Sequence, residues 1–297
     1  MSKIPGAGQP LFGGVANVEM QGSEFDLGYG VFIRPTYAHL FAPFTMAFKP
    51  PGKYGFHEGP WKTTKGGYHF DIRAEIEMPV IAGLSADFEQ QELIWLIACL
   101  LRLSEFPFMM VPAISNISFK KVLETEKDPS IYPFETQYRI FGPGTDIQPA
   151  LNSDNLSWIK DSWYPATMLL KSSPKFYGAL KAFDAATVNQ RTSLSLLSIW
   201  GAIEQLFSPN TGELKYRVSA NLAAYLEPYG EERWKLFKEL SKLYNDRSTA
   251  AHTAKELDQS SLISSYVYLR NALVKMIEMG KVPTQDDLER LQFIVTN

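Results

Sequence analysis

The chain has 297 residues, with 29 lysines and arginines against 32 aspartates and glutamates, and a formal net charge of −3. That balance excludes a protein that coats nucleic acid through bulk charge and leaves only a local basic cleft for such contact. With 45% hydrophobic and 21% charged residues the composition is that of an ordinary globular protein, and the length leads us to expect two domains.

Cys99 is the only cysteine, so no internal disulfide forms. The core must hold the fold, which suits a reducing cytoplasm. The start, "MSKIPGAGQPLFGG", has no apolar run of a secretory signal. No window approaches ~18 uninterrupted apolar residues, so no membrane span is expected.

Residues 1–80 are rich in glycine, proline and aromatics. "GVFIRPTYAHLFAPFTMAF" and "YHFDIRAEIEMPV" read as strands, the second with Phe70, Ile72, Ala74 and Ile76 on one face. Pro35, Pro43, Pro50 and Pro51 should break the first region into short pieces. The loop from Gly52 to Gly67 carries Tyr54, Phe56, His57 and Trp61 among Lys53, Lys62 and Lys65. It reads either as a binding loop that stacks on bases or as a hairpin tip with aromatics folded back on the sheet. His39, His57 and His69 fit no zinc spacing, and no metal is expected. Residues 87–104, "DFEQQELIWLIACLLRLS", predict a helix capped by Asp87, with Leu93, Leu96, Ile97, Leu100 and Leu101 on one face. Strands should resume at "ISNISFKKVLE" and "FETQYRIFG".

"FGPGTDIQPALNSDN" is a turn-rich break, and the expected boundary lies near residue 150. Helical patterns follow to the end. "SWIKDSWYPATMLLKS" should be interrupted near Pro165, and "SPKFYGALKAFDAATVN" should start at Ser172 or Ser173 with Pro174 in its first turn. "TSLSLLSIWGAIEQLFS", "GELKYRVSANLAAYLEP" and "EERWKLFKELSKLYNDRSTAAHT" come next. "SSLISSYVYLRNALVKMIEMG" ends at Gly280, and "TQDDLERLQFIV" opens with Thr284 and Asp287 placed as a capping box. The expected fold class is α+β: a strand-rich domain over 1–150 that senses or binds, then an all-α bundle over 151–297. The sequence has no Walker loop, GxGxxG, CxxC pair, HExxH or GxSxG, and no cofactor is expected.

The chemistry concentrates in "KLYNDRSTAAHT", where Arg247 and His252 lie close together. RNA is cut without metal when its own 2′-OH attacks the neighbouring phosphate. Histidine can move the protons because its pKa lies near neutrality. Arginine can hold the phosphate with a forked pair of donors and a permanent charge. Geometry complicates the pairing, because five helical steps put the two side chains about 140° apart. Either the helix breaks near Asp246–Ser248, with Ser248 or Thr249 capping a restart, or the site is composed across a two-fold dimer.

"LYNDRSTAAH" resembles the end-of-helix motif of HEPN domains, in which an arginine and a histidine lie a few residues apart. The wider run "SIWGAIEQLFS", "GELKYRVSANLAAYL" and "ERWKLFKELSKLYNDRSTAAH" resembles the ApeA-like HEPN group, over residues 151–297. The resemblance implies a dimeric helical bundle acting as a metal-independent endoribonuclease in antiviral defence or a toxin system. It implies that Arg247 and His252 are the catalytic pair and that Glu204 is an acidic residue turned toward them. Ser248 after the arginine and Thr253 after the histidine depart from many active members of the family. The expected partners are an RNA substrate, a second copy joined through the C-terminal domain, and a trigger ligand or antidote protein. Trp200, Trp234, Phe237 and Tyr244 are the aromatics expected to serve that joint. Lys215, Arg217, Arg233, Lys235, Lys238 and Lys242 line either an RNA groove or a solvated helix face.

Other readings stand beside this one. Arg247 could be a surface arginine, His252 a capping histidine, and Glu204 an ordinary helix glutamate with an arginine partner. The helical half could be a non-catalytic HEPN adaptor for a protein, nucleotide or RNA. The N-terminal domain could itself be the functional centre, as a ligand or carbohydrate binder.

Overall fold

A computed structural model describes residues 8–42, 46–47, 52–56, 62–63, 68–122, 124–125, 129–142, 150–208, 213–252 and 259–294. In chain order the first elements are β1 (Leu11–Ala16), β2 (Glu19–Met20), β3 (Phe25–Gly28), β4 (Val31–Ala42), β5 (Met46–Ala47), β6 (Lys62–Thr63) and β7 (Tyr68–Met78). Helix α1 (Gln90–Ser104) follows, then β8 (Met110–Ser115), β9 (Ile131–Pro133) and β10 (Ala150–Leu151). A six-stranded sheet runs in the order β3-β4-β7-β1-β8-β9, while β5 pairs with β6 and β2 with β10. Neighbouring strands of the large sheet are antiparallel.

Strand β1 lies inside the sheet and is buried along its whole length. Its paired glycines explain how both faces close. A Cβ on Gly13 would meet Ile94 of α1 at 2.6 Å, and one on Gly14 would meet the Phe119 ring at 2.8 Å. Successive strand residues point to opposite faces. Gly13 therefore admits α1 on one side, and Gly14 admits Phe119 on the other.

Strands β4 and β7 pair as the alternation predicts, with Ile72, Ala74 and Ile76 fully buried. Pro35 does not break β4. It sits where the register shifts between Pro35 and Ala38, a bulge that needs no donor there. Pro43, Pro50 and Pro51 lie outside the described residues. Helix α1 starts at Gln90, later than expected, with the Glu89 N–H donating to Glu92 Oε2 at 3.0 Å. Asp87 instead pairs with Lys171 at 2.5 Å.

The strand expected at 114–124 is displaced upstream to β8, and Phe119–Lys121 forms a single 3-10 turn. The strand expected over 134–142 does not form, because Glu135 and Arg139 turn into a buried ion cluster instead. Tyr54 and Phe56 of the long loop are 83% and 78% exposed, so they do not fold back on the sheet. His57, Trp61 and Lys65 lie outside the described residues. His39 Nδ1 lies 2.9 Å from Asp71 Oδ1 on the neighbouring strand.

The helical half comprises α2 (Ser153–Ser172), α3 (Pro174–Ala186), α4 (Thr192–Phe207), α5 (Leu214–Leu226), α6 (Glu231–His252), α7 (Gln259–Met279) and α8 (Gln285–Phe293). Asn152, Ser173 and Thr284 cap α2, α3 and α8 through their side chains, and Gly280 follows α7 at φ +63. Helix α2 continues through Pro165 rather than breaking. Ile159 and Trp163 before the proline and Ala166 and Leu169 after it are all buried, and that packing outweighs one missing backbone bond.

One hydrophobic core runs through both halves, from Leu11 to Leu288. Trp163 of α2 is fully buried and donates from Nε1 to Leu27 O at 2.9 Å. Arg270 of α7 donates to the carbonyls of Leu103 and Ser104, closing the C-terminal end of α1. Between α1, residues 134–139 and α3 lies the ion cluster. Arg102 Nε sits 2.7 Å from Asp184 Oδ1, and Arg102 Nη2 sits 3.0 Å from Glu135 Oε1. Arg139 Nη2 approaches both carboxylates, at 3.2 and 3.1 Å. Burial opposes the charge on Asp184, but Arg102 and Arg139 outweigh it and hold the carboxyl below its ordinary range.

Asp184→Ala should leave Glu135 as the one carboxylate for two buried guanidiniums and lower unfolding free energy by about 3–5 kcal/mol in urea titration. The pH dependence follows from the lowered pKa. Asp184 contributes stability above the ordinary carboxylate pKa, and this is lost as pH falls through its lower folded value. Asp184→Asn should therefore show a shallower acid limb than the parent, measured by Tm against pH.

Candidate active site on helices α4 and α6

Glu204 on α4 is the centre of the site. Its Oε1 accepts from the Tyr244 hydroxyl at 3.0 Å and lies 3.1 Å from Arg247 Nη2, which is 3.3 Å from Oε2. Tyr244 and Arg247 lie three residues apart on α6, so one face presents both to α4. The guanidinium carbon also stands 5.5 Å from the centre of the Tyr244 ring. Tyr244 in turn meets the Trp200 ring edge-on at 5.3 Å, and Trp200 Nε1 donates to Ser265 Oγ on α7 at 3.0 Å. Burial, followed by the hydrogen bond to Glu204, raises the Tyr244 pKa. The phenol thus stays a neutral donor.

Arg247 is neither free nor entombed. Its side chain is 25% exposed against 18% for Glu204. Its Nε is buried and has no hydrogen-bond partner among the described residues. The guanidinium is therefore aimed by one carboxylate while retaining donor capacity.

The neighbours divide by helical face. Asp246 Oδ2 accepts from Ser261 Oγ of α7 at 2.8 Å, and Asn245 is exposed. The expected break at Asp246–Ser248 is absent, since α6 is continuous from Glu231 to His252. Neither Ser248 nor Thr249 caps a restart. The Thr249 hydroxyl donates back to Asn245 O at 3.0 Å, a bond that fits inside a helix. His252 is the last residue of α6, and its side chain lies outside the described residues. On this helix Arg247 and His252 are separated by about 7.5 Å along the axis and about 140° around it. Within one chain the helix does not converge them.

The basic positions also divide. Arg233 is taken up by the carbonyls of Glu227 and Leu291, at 3.0 and 2.7 Å, and Lys235 pairs with Glu232 at 2.7 Å. Lys215, Arg217, Lys238 and Lys242 remain exposed. Of the aromatics expected at a subunit joint, Trp200 and Tyr244 are buried in the chain's own core. Trp234 stays 53% exposed, stacked on Phe237 at 5.5 Å with Lys238 Nζ 4.4 Å over its ring. Tyr244, expected at the subunit joint, stands instead in the site; its three-residue spacing from Arg247 on one helix face is the signal that could have placed it there. The Asp246–Ser261 and Trp200–Ser265 bonds have no such local signal.

Among the described residues no helix is long and apolar enough to cross a membrane, and no group of three His, Cys, Asp or Glu could hold a metal ion. Comparison of the chain with protein-family models, with curated proteins and with solved structures returns no match.

The Glu204–Arg247 bond is testable without reference to activity. A double-mutant cycle of Glu204→Ala and Arg247→Ala, read by urea unfolding, should give a coupling energy of about 1–3 kcal/mol. Additive losses would mean that the pair does not hold in solution.

Proposed function

We propose that the protein is a cytoplasmic, metal-independent endoribonuclease of the HEPN type, acting in antiviral defence or as a toxin. The observation that carries this reading is the Glu204–Arg247–Tyr244 cluster, where a carboxylate on one helix orients an arginine on another. In the proposed reaction the 2′-oxygen attacks the adjacent phosphorus, and the P–O5′ bond breaks. One protein group takes the 2′-OH proton, and a proton is delivered to the leaving 5′-oxygen. His252 is the proton-transfer residue. Arg247 holds the phosphate oxygens as charge gathers on them. Glu204 and Tyr244 are positioning residues. The products are a 2′,3′-cyclic phosphate and a 5′-hydroxyl.

The proposed enzyme works as a homodimer joined through the helical half. The continuous α6 supports this, because a second copy can bring the partner's Arg247 toward His252 where a single helix cannot. A trigger ligand or antidote protein acting through the N-terminal half belongs to the same proposal.

A second reading, a non-catalytic adaptor, draws on two observations. Glu204 already occupies one terminal nitrogen of Arg247. An exposed aromatic patch of Tyr216, Tyr229, Trp234 and Phe293 also lies on α5, α6 and α8 and the α5–α6 turn.

The test is an RNase assay with purified protein and a chelator present. Arg247→Ala and His252→Ala should each lower the cleavage rate by ~10²–10⁴ while keeping the fold. Arg247→Lys should also be poor, since an ammonium cannot form the forked contact. A substrate with one 2′-deoxy residue at the scissile position should resist cutting there. Undiminished cutting by His252→Ala would remove the site assignment and leave the adaptor reading in front.

Assembly is read separately. Light scattering at micromolar concentration should give twice the chain mass. A monomer that still cuts RNA would overturn the composite site.

A further inference from the structure

A cavity of about 520 Å³ opens between α1, residues 134–139 and α3, away from Arg247. Its size falls in the range of small-molecule sites, which are mostly apolar with a few placed polar groups. Trp95, Phe134 and Tyr177 supply the rings. The Trp95 and Tyr177 rings stand edge to face at 6.2 Å and 76°.

The cavity is built on a fixed floor. Trp95 Nε1 donates to Asp184 Oδ2 at 2.8 Å, and Asp184 Oδ1 is held by Arg102 and Arg139. The indole therefore cannot turn without breaking a bond to the ion cluster. Such preorganisation lowers what a ligand loses in ordering its site.

Two cations line the cavity, and they differ in what a ligand can reach. The Arg139 side chain is 4% exposed and is committed to Glu135, Asp184 and Thr187. Lys181, also in the lining, has its ammonium 4.2 Å over the Tyr177 ring and no ion pair among the described residues. The nearby acids are committed. Glu135 and Asp184 serve the two arginines, and Glu92 accepts from the Glu89 N–H. At the rim, Thr136 and Gln137 are exposed and offer both donors and acceptors.

We propose that this cavity binds a base joined to a phosphate, either as a free nucleoside monophosphate or as one unit of an RNA strand. The planar base stacks on Trp95 and turns an edge to Tyr177, whose ring plane stands at 76° to the indole. Its edge meets Thr136 and Gln137, and the phosphate meets Lys181 as a charge-assisted contact. The walls come from α1 on one side of residue 150 and α3 on the other, so an occupant ties the two halves together. This site is independent of the proposed nuclease chemistry.

The test uses the full chain and isothermal titration with AMP, GMP, CMP and UMP. A short oligonucleotide with 2′-O-methyl riboses, which cannot be cut through the 2′-OH, forms a further arm. Saturable binding with quenching of tryptophan fluorescence and a raised Tm is expected from a mononucleotide or from the oligonucleotide. A mononucleotide result assigns a free ligand, and an oligonucleotide-only result assigns a strand. Lys181→Ala should weaken binding by about ten-fold or more. Tyr177→Leu, at a partly buried position on α3, should weaken it too, and Arg247→Ala should leave it unchanged. The proposal is overturned by no binding of any probe at millimolar concentration. It is also overturned by full binding in both α3 variants, by loss of binding in Arg247→Ala, or by indole-3-acetate binding as well as the nucleotides.

Discussion

The arrangement depends on a buried set of two arginines and two carboxylates between the sheet helix α1 and the bundle helix α3. Arg102 is 1% exposed and Arg139 4%, so both guanidiniums are cut off from water. Taking such charges out of water is costly, and the loss is offset only when each is paired and hydrogen-bonded. Here Glu135 and Asp184 balance the charge. Met109 O, Val111 N–H, Thr187 Oγ1 and Asp184 O add hydrogen bonds to the cluster. The members come from α1, the 134–139 segment and α3. No one of these elements can move alone without exposing an unpaired charge. The neighbouring Cys99 thiol is pushed well up by burial, which keeps it neutral and unreactive inside this cluster.

The same cluster connects the halves to the candidate site by packing. Helix α3 lies against α4, and α4 carries Glu204. Trp200 of α4 reaches Ser265 on α7, and α7 in turn caps α1 through Arg270. The orientation of Arg247 is thus fixed by a helix that is itself fixed against the N-terminal half. This makes the halves one packed unit at the level of the core, although their sequences differ in character.

Much of the fold was legible because local signals and tertiary structure agree. Ser173 with Pro174, Thr284 with Asp287, and Gly280 after a periodic run each mark a helix end that is present. The alternation from Phe70 to Ile76 likewise marks β7. Strand β1 was missed because its "GG" pair reads as a loop. Those glycines are required by close approach on both faces, a tertiary fact. Residues 134–142 were misread for a related reason. Their alternation suits a strand, and the Phe134 and Glu135 N–H groups still donate to Pro112 O and Val111 O, but the Glu135 and Arg139 side chains then turn to Arg102 and Asp184. At the candidate site, Arg247 was singled out by its residue type and Glu204 through resemblance, and they do touch. The continuity of α6 was not legible, because Ser248 and Thr249 look like a cap until the Asn245 carbonyl is seen to accept the Thr249 hydroxyl.

That continuity constrains the chemistry. Breaking α6 at Asp246–Ser248 would swing Arg247 away from Glu204 or Asp246 away from Ser261, since these bonds face different helices. Leu243 and Ala250, on either side of the point of breakage, are both buried and resist the same motion. His252 lies two residues beyond Ala250, at the helix end. The bonds of Asp246 and Arg247 therefore leave no hinge in the middle of the helix. Within one chain the remaining turn cannot reverse a separation of about 140°. The proposed dimer answers that constraint in principle, because a two-fold axis would bring the helix end of one copy toward the arginine of the other while leaving α6 continuous.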